Sequence, residues 1–94
     1  MELNKNQYVM YKGLPLVREG DTICYGDLNE KYMLILNILS KKGNGEPDMI
    51  MVQICYTEDK NKIVKGKQAF KNGLYEALDL GIIWLEQIIK SDAQ

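Results

Sequence analysis

Five lysines crowd into one short run: Lys60, Lys62, Lys65, Lys67 and Lys71, with Phe70 among them. Cations at that density can neutralise phosphate. Lys62, Lys65, Lys67 and Lys71 are therefore the candidates for binding an anion or a nucleic acid. Phe70 alone accompanies them, whereas sequence-tolerant nucleic-acid binding needs several aromatic platforms interleaved with the charge. No acidic residue interrupts the run, yet the whole chain carries a net charge of −1. There is no global field to draw in a polyanion. A solvated loop leading to a helix explains the lysines equally well, and nucleic acid is not the expected partner.

Other chemistry is harder to assemble. The chain has no histidine, which removes the commonest general base and metal ligand. Neither a Ser-His nor a Cys-His nucleophile pair can form. Cys24 and Cys55 match no metal-ligand spacing and read as reduced, half-buried strand residues. The thirteen carboxylates fall mostly in turn-rich segments, at Glu19, Asp21, Asp27, Glu30, Glu46, Asp48, Glu58 and Asp59, where local hydrogen bonding accounts for them. Lys42-Gly-Asn-Gly-Glu46 contains glycines, but it joins two apolar runs of strand type. A phosphate-binding loop would lead into a helix. No catalytic residue, metal site or cofactor is expected.

The elements that hold these residues are clearer. Two apolar runs, Tyr32 to Ser40 and Asp48 to Tyr56, flank that glycine-bearing loop and form a central hairpin over 32–56. Alternation places Tyr32, Leu34, Leu36 and Ile38 on one face, with Ile50, Val52, Ile54 and Tyr56 beside them. Pairing Ser40 with Asp48 brings those two sets together. A slip of one residue would bury Asn37 and Gln53 instead, at a desolvation cost. The opposite face is mixed: Met33, Ile35, Asn37 and Leu39 against Met49, Met51, Gln53 and Cys55.

Upstream, Leu14 to Arg18 and Thr22 to Tyr25 read as strands joined at Glu19-Gly20-Asp21. Pro15 lacks a donor and marks a sheet edge or a strand start. Tyr8 to Tyr11 is a short strand or an arm, and residues 1–7 are expected to be a disordered tail. Ile63 and Val64 can add a short edge strand. Downstream, Asn72 suits a helix cap, and Leu74, Leu78, Ile82, Leu85 and Ile89 recur at helical spacing over 72–90. The expected fold is a single α+β domain over 1–94. It has an antiparallel four- to five-stranded β-meander with one C-terminal α-helix packed on one face.

That architecture leaves apolar side chains unexplained. Met33, Ile35, Met49 and Met51 stand on the sheet face away from the helix. Leu80, Ile83 and Trp84 stand off the helix's main apolar row. Surfaces of this kind mark interfaces. The expected function is thus a small, non-catalytic, cytoplasmic interaction module that self-associates as a homodimer or binds another protein. The alternative is a ligand-binding or regulatory subunit with the Met-rich face as its pocket wall. No apolar run approaches the roughly 18 residues of a membrane span, and no secretory leader is visible.

Overall fold

The computed structural model describes residues 7–92. The disordered tail expected over 1–7 lies outside that range except for Gln7, which opens the first strand. Six strands follow one another: β1 (Gln7–Tyr11), β2 (Leu14–Glu19), β3 (Thr22–Tyr25), β4 (Tyr32–Ile38), β5 (Met49–Tyr56) and β6 (Asp59–Asn72). They pair antiparallel in chain order, and one helix, α1 (Leu74–Asp92), follows them. The α+β meander is as expected, with more strands than the four or five anticipated.

Two-residue turns join β1 to β2, β2 to β3 and β5 to β6, and a strand that ends in such a turn must pair with its successor. Lys12 and Gly13 both take positive φ, at 50° and 84°, and join β1 to β2. That is a turn whose twist matches the strands it connects. Pro15 is the second residue of β2, an interior strand. It is tolerated because the β2–β3 ladder begins only at Leu16↔Tyr25. The carbonyl of Pro15 accepts from Gly26 N at 3.2 Å, so the missing donor falls where β3 has ended.

The central hairpin has the register that burial requires, from Tyr32↔Tyr56 to Ile38↔Ile50. Leu34, Leu36, Ile50, Val52 and Ile54 are fully buried on the helix side, joined by Leu16 and Ile23. From α1, Ala77, Leu78, Ile82 and Leu85 close the core, with Leu74 and Ile89 half-buried at its ends. The helix packs on β4, β5 and β6.

Two elements differ from expectation. The lysine-rich segment is part of β6, a strand of 14 residues, where a polar loop and a two-residue edge piece were expected. An edge strand with solvent on its outer side tolerates lysine at most positions, so it loses the apolar alternation that announces an interior strand. Asn72 does not cap the helix. It pairs with Met49 at the end of β6, and its amide donates to the Asp48 carboxylate at 3.2 Å. Gly73, at φ 89°, turns the strand into α1, and its carbonyl accepts from Ala77 N.

Candidate functional site

The face of the sheet opposite the helix holds most of the expected interface. It divides into three zones. Met33, Ile35 and Cys55 form a dry cluster, at 3%, 4% and 0% exposure, with Cys24 against it. Met33 and Ile35 are therefore not open contact residues, contrary to the sequence expectation. β6 runs 14 residues against the 8 of β5 and loses regular register between Gln53 and Tyr56, which brings its start beside this cluster. Lys60, near its start, lines a groove with Tyr8, Pro15, Val17, Cys24, Leu28 and Met33 from the far side of the sheet. The start of β6 thus leans across the outer face. The groove holds about 530 Å³, with Glu19 and Thr22 at its margin.

A polar row crosses the middle. The Thr22 hydroxyl donates to Asn37 Oδ1 at 3.2 Å, and Asn37 Nδ2 donates to Gln53 Oε1 at 3.1 Å. Gln68 Nε2 lies 3.0 Å from Met51 Sδ. Asn37 and Gln53, too polar for a sealed core, satisfy each other. That bond, with Gln53 Nε2 3.7 Å from Met51 Sδ, offsets the desolvation cost of holding Gln53 at 7% exposure.

Beyond the row lies a second apolar zone. Met51 pairs with Phe70 across β5 and β6, and Leu39 N donates to Met49 O just past β4. Leu39 and Phe70 are 53% and 57% exposed, while Met49 and Met51 are half-buried. Met49 and Met51 therefore belong to an open patch, and Phe70, weighed only as a neighbour of the lysines, is its most exposed member.

The helix candidates separate too. Ile83 is exposed, at 54%. Leu80 is half-buried. Trp84 packs partly against the core, and Lys67 Nζ sits 5.3 Å from its ring centroid. Lys62 Nζ is likewise 5.0 Å from the Tyr56 ring. Lys67 also shares a recess with Lys90, Gln87, Ile88 and Ser91, a neighbour that sequence spacing could not reveal. Lys65 is exposed and Lys71 half-buried. The lysines are strung along one strand, and Lys62 and Lys67 are already engaged by aromatic rings.

The two thiols are free and cannot bridge, because β4 lies between Cys24 on β3 and Cys55 on β5 and holds their main chains two strand spacings, roughly 9–10 Å, apart, beyond disulfide reach. Burial raises the Cys24 thiol pKa, partly offset by Lys60 and reinforced by Glu19. Burial, then Cys24 and Asp59, push Cys55 up to about 11. Both are neutral thiols at pH 7, the unreactive form. Native protein at pH 8 should take one iodoacetamide adduct slowly, at Cys24, and a second only in denaturant. Because the thiolate fraction grows with pH, labelling of Cys55 should rise as pH approaches 11. Rapid double labelling of native protein at pH 8, read by intact mass, would contradict this burial.

Among the described residues, no group of three or more Cys, Asp or Glu side chains is placed to hold a metal ion. Among the same residues no helix is long and apolar enough to cross a membrane. Comparison with protein-family models, with curated proteins and with solved structures finds no match to this chain.

Proposed function

We propose that this chain is a small interaction module that acts by association, first of all with a second copy of itself, and not by catalysis. The carrying observation is the side of the sheet away from the helix. Among the described residues no helix or second sheet packs on it, and only the start of β6 leans over its Met33 end. It presents Tyr8 and Leu28 along a groove at one end, with Met10 beside Tyr8, and Leu39, Met49, Met51 and Phe70 at the other. Isolated exposed apolar residues are ordinary, but contiguous ones on an uncovered sheet face are the signature of a contact surface. The unpaired thiols of Cys24 and Cys55 suit a reducing compartment, in keeping with a cytoplasmic setting.

The test is sedimentation velocity with native electrospray across a concentration series. A dimer population that grows with concentration is the expected result. A bare monomer up to several hundred micromolar would sink self-association. A monomer carrying added mass would support a second reading, a ligand-binding subunit, which the groove favours. Its roughly 530 Å³ falls within the range of small-molecule sites, and its apolar walls carry one cation, Lys60.

A further inference from the structure

Among the described residues the sheet has two free edges, β1 and β6, and they are built differently. β6 carries Lys60, Lys62, Lys65, Lys67 and Lys71, a glycine at φ 80° (Gly66) and a broken register. Charges and irregularities of this kind discourage a further strand from adding. β1, Gln7-Tyr-Val-Met-Tyr11, has no charge, no proline and no glycine. The tight turn at Lys12-Gly13 makes Tyr11 and Leu14 the hydrogen-bonded closing pair. Alternation then commits Gln7, Val9 and Tyr11 to β2, while Tyr8 and Met10 aim both N–H and C=O outward. No described strand or loop pairs with that outer side of Tyr8 and Met10. Their side chains are 63% and 59% exposed.

We propose that β1 pairs antiparallel with β1 of a second copy, around a two-fold axis at Val9. Tyr8 then exchanges main-chain hydrogen bonds with the partner's Met10, and Met10 with the partner's Tyr8. The strand is its own complement. Each copy sets a tyrosine against a methionine, a pairing the chain already makes internally, with the Tyr8 hydroxyl 3.5 Å from Met10 Sδ. No like charges meet. Pairing β6 with a second β6 would bring lysine-rich strands together. Pairing β1 with β6 would be head-to-tail and leave an open edge at each end of the assembly. The isologous β1 contact uses each copy's one unguarded edge and closes at two. The contact is small, so the dimer belongs to the weak class that dissociates on dilution.

This register rests on the self-association reading, and the experiment separates the two. In a C24S background, with Cys55 fully buried, Val9→Cys is oxidised with copper–phenanthroline. Val9 faces its own counterpart in a non-hydrogen-bonded pair, where Cα atoms lie roughly 4.5 Å apart, within disulfide range. Tyr8→Cys in the same background sits two residues out of line with its counterpart. The expected result is a covalent dimer from Val9→Cys and little from Tyr8→Cys. Separately, Met10→Pro deletes an outward N–H and no β1–β2 bond, so it should weaken dimerisation at least tenfold with an unchanged circular dichroism spectrum. If the wild type dimerises, but Met10→Pro dimerises equally and Val9→Cys does not cross-link, the β1 register is overturned and self-association stands. If the wild type is monomeric throughout, both are overturned. Should Val9→Cys fold poorly, Met10→Pro, which leaves Val9 untouched, decides alone.

Discussion

Leu36→Ala should lower the unfolding free energy by about 2–5 kcal/mol. Leu36 is fully buried between Ile23 of β3 and Val52 of β5, on the face that the helix covers. Truncation removes transferred apolar volume and leaves a cavity that neighbouring strands cannot close, because their main chains are fixed in the ladder. Domains of this size have only about 5–15 kcal/mol in total, so the loss is a large fraction of it. Each kcal/mol moves Tm by roughly 4–8 °C at this chain length. Urea unfolding followed by circular dichroism measures it. A change within error would mean that the hairpin's buried face is assigned wrongly.

Gly81→Ala should also destabilise, against the ordinary rule for helices. In an exposed helix interior that substitution gains about 1 kcal/mol. Here a Cβ on Gly81 would meet the Leu34 side chain at 2.6 Å from Cδ2 and 3.0 Å from Cγ. Leu34 is itself fully buried, flanked by Tyr25 and Ile54, so it has no free volume to retreat into. Overpacking costs about 1–3 kcal/mol, which matches the propensity gain at its low end and outweighs it above that. The net loss should fall between about 0 and 2 kcal/mol for alanine, toward the upper end because Leu34 is buried, and be greater for valine. The mechanism predicts its own rescue. In a Leu34→Ala background the added methyl fills space instead of colliding, so the double mutant should be more stable than the two single losses imply. Gly81→Ala raising stability by its full propensity value would show that the helix does not dock against Leu34.

Both predictions depend on how closely the helix approaches the hairpin, and that was only partly legible from sequence. Gly81 could be picked out as the gap in an otherwise apolar turn of α1. Its role as the contact point could not, because spacing along a helix says which residues share a face and not how far that face stands from its neighbour. The outer face divides in the same way. Asn37 and Gln53 were readable as polar residues on a mixed surface, but their mutual bond depends on a diagonal between β4 and β5. Met33 and Ile35 looked open because nothing in the hairpin covers them. The start of β6 comes beside Met33 only through its irregular register, which no local pattern announces.

What the sequence by itself determined is the local and periodic part: the α+β class, the hairpin, its register and the helix. Leu34, Leu36, Val52 and Ile54 alternate at period two, Leu78, Ile82 and Leu85 recur at helical spacing, and Asn37 and Gln53 penalise a slip. Only the tertiary structure decided that the lysine run is a strand, that Asn72 ends that strand and does not begin the helix, and that β1 is an edge. Those outcomes depend on which neighbours a segment meets. A polar stretch can gain ladder hydrogen bonds from β5 without an apolar pattern of its own. An apolar stretch such as β1 can be left at the boundary with one side of its main chain unpaired.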